Sequence, residues 1–158
     1  MTEFRIESWN EDDPRWAELV ELFKTQDQLR WVLPDEKRLR PSSEVLVAMA
    51  DERPVGFLVF LVQEIGPPDN CPAFGQIEAK VVAFAVRAEY RRRGIGTALQ
   101  RRALEVARQL GCYQLRSVTD VWRDENREVK LALGFGVHPT VRRVEDEDRP
   151  AYVFVKRL

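Results

Sequence analysis

The residues best suited to chemistry form one short run, Arg91-Arg92-Arg93-Gly94-Ile95-Gly96. An apolar stretch typical of a buried strand precedes it at residues 81–86, and a stretch of helical periodicity follows at residues 97–110. A turn between a strand and a helix leaves backbone N–H groups unpaired, and the helix dipole adds about half a positive charge there. Glycine at 94 and 96 lets the backbone approach a ligand closely. The run therefore predicts a phosphate-binding turn, with a merely tight strand-to-helix turn as the alternative.

Two common phosphate motifs do not account for this run. The dinucleotide motif G-x-G-x-x-G lacks its first glycine here, and Leu99 stands at the third position after Gly96. The P-loop requires the tripeptide Gly-Lys-Ser/Thr, which does not occur in the chain. A general nucleotide-binding domain is therefore the weakest of the functions considered.

The spacing Arg91-x-x-Gly94-x-Gly96, with the preceding segment at residues 84–90, resembles the pyrophosphate loop of the Gcn5-related N-acetyltransferases, the GNAT family. The resemblance implies an α/β (α+β) fold, with a mixed, largely antiparallel central sheet, helices on both faces and a splayed pair of central strands. It also implies acetyl-CoA as the acyl donor and an N-acetyltransferase that acts by direct transfer in a ternary complex. The acceptor would be a primary amine of a small molecule or peptide.

The same resemblance assigns the residues of the donor site. The backbone of Phe84 and Val86 would bind the pantetheine arm, and the Val86 N–H would stabilise the charge on the thioester oxygen. The amides of residues 92–97 would hold the pyrophosphate, and Asn126 would touch the cofactor arm. The full expected set is Phe84, Ala85, Val86, Arg91, Arg92, Arg93, Gly94, Ile95, Gly96, Thr97 and Asn126.

The proton-transfer residues depart from the family pattern. The usual general-acid tyrosine falls on Lys130, and the glutamate base of the histone-modifying branch falls on Lys80. Glu78 lies one pleat before Lys80 on the same strand face, so it is the candidate base. Lys130 is the candidate proton donor. Alternatives remain: Lys130 as a solvated helix residue, Glu78 as a solvated strand-edge residue, and Tyr90, Tyr113 or Tyr152 as the donor.

The acceptor side is less defined. An apolar group, Leu29, Trp31, Val32 and Leu33, lines an acceptor pocket or simply packs on the sheet. Acidic residues flank the predicted loops at residues 11–13, at Asp120 and at residues 124–125, and would attract a cationic amine unless they only solvate those loops. Arg123 and Arg127 equally favour an anionic acceptor.

Eleven predicted elements must position these residues, in the order β, α, α, β, β, β, α, β, α, β, β. Alternating or apolar runs predict strands, and helical spacing of apolar residues predicts helices. We predict strands at residues 4–7, 45–49, 55–63, 76–86, 113–118, 140–144 and 151–156. We predict helices at residues 14–25, 97–110 and 125–133, an unassigned second helical segment within residues 26–43, and a proline-rich loop at residues 66–72.

Composition bounds the remaining classes. A chain of 158 residues fits one domain spanning residues 1–158. Its formal net charge of −1 gives no support for nucleic-acid binding, and its apolar runs are too short to span a membrane. Cys71 and Cys112 lack metal or redox spacing and are expected to be free thiols in the cytoplasm, with no metal bound. The expected partners are acetyl-CoA and an amine, with a homodimer as a further option. The alternative function is a catalytically weak acyl-CoA-binding or regulatory module.

Overall fold

The computed structural model describes residues 3–35, 37–65 and 75–158, apart from the side chain of Glu125. The predicted loop at residues 66–72, with Cys71, lies outside the described residues. The strands are β1 Arg5–Trp9, β2 Ser43–Ala50, β3 Arg53–Glu64, β4 Ile77–Val86, β5 Gln114–Asp120, β6 Gly136–Val144 and β7 Glu147–Arg157. The helices are α1 Trp16–Thr25, α2 Leu29–Val32, α3 Ile95–Gln109 and α4 Asp124–Ala132, with a 3-10 turn at Ala88–Tyr90.

The seven strands form one sheet in the order β1-β2-β3-β4-β5-β7-β6. Every neighbouring pair is antiparallel except β4 and β5, which are parallel. This is the mixed, largely antiparallel sheet that the sequence predicts, and it is confirmed.

The central pair β4 and β5 separates after a short contact. Their register contains only Glu78↔Gln114, Ala79↔Leu115 and Lys80↔Arg116, although β4 continues to Val86 and β5 to Asp120. A β-bulge between β3 and β4 lies at the same point, because Val59 pairs with Ala83 while Phe60 pairs with Val81. The extra residue is Val82, and a bulge bends its strand and increases the local twist. The bulge therefore turns β4 away from β5 and opens a gap.

Two apolar layers cover the sheet. On one face, α3 packs Leu99, Ala103 and Ala107 against strand residues such as Leu58 and Phe60. On the other face, α1 packs Leu22 and Phe23 against a second group of strand residues, Val45, Val47, Phe57 and Val59. We call the first the helix face and the second the open face, because among the described residues α1 and the short α2 are the only helices that cover the second.

The predicted elements are all present, with different ends for several. Strand β6 begins four residues earlier than predicted, because Pro139 is tolerated on an edge strand, where its missing N–H breaks no ladder. The turn between β6 and β7 consists of Glu145 and Asp146, which both adopt positive φ. Gly111 follows α3 with φ of +79°, a left-handed conformation that commonly ends a helix at glycine. No helix in the described ranges is long and apolar enough to cross a membrane.

Candidate functional site

The turn at residues 91–94 has the backbone geometry of an anion site. Gly94 is the residue before α3 and has φ of +80°, and Arg92 also adopts a positive φ of +61°. Turns with such left-handed residues direct successive N–H groups into a common concavity. Within the described part of the chain, no side chain caps α3 and no acidic residue lies in its first turn. The first N–H groups of α3 therefore remain available to an anion.

A cavity of about 960 Å³ connects this turn to the gap between β4 and β5. Of the predicted donor-site residues, all except Arg93 line it: Phe84, Ala85, Val86, Arg91, Arg92, Gly94, Ile95, Gly96, Thr97 and Asn126. Arg93 instead lies with its guanidinium 5.1 Å from the centre of the Tyr90 ring. Glycine is favoured at position 96, because a Cβ there would lie only 3.3 Å from Cζ of Phe84.

Three of the backbone groups of β4 that face the gap are already hydrogen-bonded: the N–H and the carbonyl of Phe84, and the carbonyl of Val86. The Arg87 N–H bonds to Val55 of β3, so strand alternation directs the groups of Phe84 and Val86 toward the gap. Gln28 forms two hydrogen bonds with Phe84: its Nε2 donates to the carbonyl and its Oε1 accepts from the N–H, both at 2.9 Å. Arg91 Nε donates to the Val86 carbonyl at 3.0 Å.

The side-chain amide of Gln28 thus makes the two hydrogen bonds with Phe84 that a neighbouring strand would otherwise make. The Gln28 side chain is buried and it also lines the cavity, between α1 and α2. Asp27, the residue before it, has a positive φ of +55°, which turns the chain so that Gln28 reaches the gap. A ligand that bonds to the backbone of Phe84 must displace Gln28. Sequence analysis missed this residue, because its role depends on a contact 56 positions away.

Asn126 lies on the cavity side of α4. Its Oδ1 is buried and has no hydrogen-bond partner among the described residues. A buried acceptor without a partner costs free energy unless a ligand or water satisfies it. The position therefore fits a residue that contacts a bound molecule in the cavity.

Lys130 is fully buried, so the expectation of a solvated helix residue is wrong. It lies one turn after Asn126 on α4, and its Nζ donates to Ser117 Oγ at 2.8 Å and to Thr119 Oγ1 at 3.0 Å. Both hydroxyls belong to β5 where that strand borders the gap. Burial, assisted by repulsion from Arg123, lowers the pKa of Lys130 from its ordinary value of 10.5 to about 7. The amine therefore exchanges a proton near neutral pH.

Glu78 is also buried rather than solvated at a strand edge. Its carboxylate accepts from Arg116 Nε at 2.9 and 3.2 Å, from Gln63 at 3.3 Å and from Gln114 at 3.2 Å. These contacts place Glu78 on the open face, where the β4–β5 pairing ends. The Glu78 carboxylate is therefore held in place. To accept a proton, it would first have to break its hydrogen bonds with Arg116.

The three tyrosines proposed as alternative donors have other partners. Tyr90 lines the cavity, but its hydroxyl is hydrogen-bonded to Asp51 and Arg53. Tyr113 lies under the guanidinium of Arg157, and Tyr152 lies within 5.9 Å of that of Arg127.

The predicted apolar acceptor residues separate into two groups. Val32 and Leu33 are buried in the core of the open face, and Leu29 packs against it. Trp31 instead lies between two guanidinium groups, with Arg30 4.7 Å and Arg142 4.9 Å from its ring centre. In the described part of the chain, no group of three or more metal-type ligands lies together.

Trp122 is a further cavity residue that the sequence did not indicate. Its side chain is 67% exposed at the rim, where Arg123 lies 4.9 Å from its ring centre. A large exposed aromatic ring at a cavity rim offers a stacking surface to a planar ligand group.

Comparison with known proteins identifies related folds. A family model described as acetyltransferase (GNAT) family matches residues 4–136. Arabidopsis thaliana NAA60, crystallised in complex with acetyl-CoA, is similar with a TM-score of 0.78 at 12% identity, over 99% of this chain and 99% of that one. An IAA acetyltransferase from Bacillus cereus is similar with a TM-score of 0.66 at 17% identity, over 99% and 100%. A GNAT-family acetyltransferase from Streptococcus pneumoniae gives 0.71 at 14%, over 99% and 100%. No curated protein sequence matches the chain.

The substitution Lys130→Met tests the buried amine. Because the pKa of Lys130 is lower in the folded chain, the unfolded chain binds the extra proton between about pH 7 and pH 10.5. The free energy of unfolding of the wild type should therefore rise with pH across this window, relative to the variant, by on the order of a few kcal/mol. Urea unfolding at a series of pH values measures this. Lys24→Met, at an exposed lysine of α1, should follow the wild type; wild-type and Lys130→Met curves that stay parallel would contradict the assignment.

The substitution Gln28→Ala tests the contact with Phe84. Loss of two hydrogen bonds should lower the free energy of unfolding by about 1 kcal/mol. CoA should bind more tightly, by about fivefold, because Gln28 no longer has to be displaced. Calorimetry measures both, with Gln109→Ala on the exposed end of α3 as the control. Weaker CoA binding by Gln28→Ala would instead show that Gln28 holds the ligand.

Proposed function

The chain belongs to the acetyltransferase (GNAT) family, and on this premise we propose that it transfers an acetyl group from acetyl-CoA to a primary amine. The acceptor is a small molecule or a peptide, and transfer is direct within a ternary complex. One observation carries the proposal: the gap between β4 and β5 opens into the same cavity as the uncapped N-terminus of α3. A cytoplasmic location and a single domain over residues 1–158 are part of the proposal, and the free thiol of buried Cys112 agrees with that location.

The donor half is supported by residues that fit the chemistry of acetyl-CoA. The amides of residues 92–97 and Arg91 hold the pyrophosphate, and Asn126 Oδ1 accepts a hydrogen bond from the pantetheine arm. The gap-facing N–H groups of Phe84 and Val86 orient the thioester and stabilise charge on its carbonyl oxygen, once Gln28 has withdrawn. The bound thioester supplies the activated acyl group; the chain supplies position and charge.

Lys130 is the proton donor to the departing thiolate in this proposal. Its pKa of about 7 is suited to a group that gives up a proton at neutral pH and regains it from solvent. Its two hydrogen-bond partners, Ser117 and Thr119, lie between α4 and the gap, and their hydroxyls relay the proton. A lysine thus takes the position at which the family commonly has a tyrosine.

Glu78 has a different role from the base expected from its sequence position. Its carboxylate is held by Arg116, and it orients that guanidinium on the open face. The acceptor therefore reaches the thioester as a neutral amine, without proton removal by Glu78.

A second function is favoured by the same residues. If Lys130 and Glu78 are purely structural, the chain is an acyl-CoA-binding module with weak catalysis. Release of CoA thiol from acetyl-CoA, measured across a panel of amines, distinguishes the two. Turnover that falls at least about tenfold in Lys130→Met supports the enzyme. Tight CoA binding without thiol release for any amine supports the module.

Gly94→Asp tests the position of the donor site, with Gly111→Asp as its matched control. The two glycines flank α3, have φ of +80° and +79°, and have open space around an added Cβ. Both substitutions therefore introduce the same backbone strain and the same charge. Only the first places a carboxylate beside the proposed phosphate site, so its CoA affinity should fall at least about tenfold. Equal CoA affinities of the two folded variants, measured by calorimetry, would show that the phosphate site lies elsewhere.

A further inference from the structure

The open face carries a concentration of positive charge where the β4–β5 pairing ends. Lys80 and Arg116 are directly paired across the two strands. Arg40 and Arg142 lie near enough for their charges, with that of Arg116, to help burial lower the pKa of Lys80. We call Lys80, Arg116, Arg40 and Arg142 the cationic patch.

Two carboxylates face the four cations of the cationic patch and neutralise it only in part. Glu78 is ion-paired with Arg116, and Asp120 forms a long ion pair with Arg142 at 3.8 Å, too far for a hydrogen bond. Lys80 is half-buried and forms no ion pair with any described residue, although Glu78 is close enough to raise its pKa. Burying a cation beside three others is costly without an anion, so the arrangement fits a ligand that brings one.

An unsatisfied acceptor lies at the other end of the same face. Asp120 Oδ1 is buried and has no hydrogen-bond partner among the described residues. The parallel register Lys80↔Arg116, continued along both strands, brings Asp120 opposite Phe84 and Ala85 across the gap. Asp120 therefore lies where an amine must approach a thioester that is held against Phe84.

Arg142 of the cationic patch lies beside Asp120, whereas Lys80 and Arg116 lie about the length of a small molecule away from it. Asp120 follows Arg116 by four residues, and Phe84 follows Lys80 by four, roughly 13 Å along each strand at about 3.3 Å per residue. The long side chains of the cationic patch shorten this distance. We propose that the acceptor is an anionic amine, whose amino group hydrogen-bonds to Asp120 while its carboxylate or phosphate binds Lys80 and the neighbouring arginines.

This inference rests on the proposed transferase function and narrows its substrate class. The sequence left both a cationic and an anionic acceptor open. The cationic patch and Asp120 together favour an acceptor that carries both an amino group and an acid. In the transfer, the amine nitrogen forms the new bond to the acyl carbon and releases one proton to Asp120 and from there to solvent. The carbon–sulfur bond breaks, and the thiolate takes a proton from Lys130, which regains one from solvent. Asp120 accepts a hydrogen bond from the amine and directs its lone pair toward the thioester.

Matched pairs of acceptors test the proposal. The pairs are 4-aminobutyrate and its amide, 6-aminohexanoate and its amide, and O-phosphoethanolamine and ethanolamine, with thiol release as the readout. The acid member of at least one pair should have a kcat/KM about tenfold above its neutral partner, and the pair that shows it separates a carboxylate from a phosphate site. Equal kcat/KM within every pair would overturn the proposal.

Three variants test which residues bind the two ends of the acceptor. Lys80→Met should remove most of the acid preference, and Lys80→Glu should reverse it, while the exposed-site control Lys24→Met keeps it. Asp120→Asn should lower kcat/KM about tenfold for both members of each pair and leave their ratio unchanged. An acid preference that survives Lys80→Met would overturn the assignment of the anion site.

A binding measurement separates this inference from the transferase proposal. With CoA saturating the donor site, inorganic phosphate should raise the melting temperature of the wild type and of Lys24→Met, and have a much smaller effect on Lys80→Met. This outcome supports the anion site even if no amine gives turnover, in which case only the transferase proposal fails. Equal phosphate effects on all three proteins would overturn the anion site.

Discussion

The separation of β4 from β5 opens the gap around which the candidate site residues are arranged. The extra residue Val82 bends β4 just after its last pair with β5, and Gln28 then satisfies the exposed backbone of Phe84. Without such a partner, a strand edge inside the molecule would leave buried N–H and C=O groups unpaired, at a cost of about 1–3 kcal/mol each. The gap is therefore a stable feature of the fold, and the hydrogen bonds between Gln28 and Phe84 can be exchanged for those of a ligand.

The charged groups around the gap differ between the α3 turn, the helix face and the open face. The uncapped N-terminus of α3 favours an anion at one end of the cavity. On the helix face, Lys130 is buried under β5, and burial lowers its pKa to about 7. On the open face, Lys80 and its neighbouring arginines outnumber the carboxylates beside them. The proposed proton donor and the proposed acceptor site thus lie on opposite faces of the sheet.

The order of the elements and the turn before α3 could be predicted from the sequence because both depend on local patterns, whereas the sheet arrangement followed from the family resemblance. Phosphate binding at that turn stays a prediction. A few neighbouring residues are enough to recognise apolar alternation, the positions of glycines and the strand-to-helix transition at residues 91–96. The contacts of Gln28, Glu78 and Lys130 could not be predicted from the sequence, because each depends on a partner distant in the chain: Phe84, Arg116 and Ser117. A lysine in a helix and a glutamate near a strand end are usually solvated, and only tertiary packing buries these two. The length of β6 was underestimated because Pro139 is permitted only by its edge position, which a single sequence does not specify.

We propose that the gap and the α3 turn together bind acetyl-CoA. Backbone amide chemical shifts, measured during titration with acetyl-CoA, test this directly. We predict the largest changes at residues 84–86 and 92–97, with a further change in the side-chain amide of Gln28 as it leaves Phe84. The amide of Gly111, at the opposite end of α3, should not move. Changes concentrated instead at Phe4, Ile6 and Arg101, without changes at residues 84–86, would contradict this binding mode, since these three residues line a second cavity of about 540 Å³ on the other side of Gly94 and Thr97.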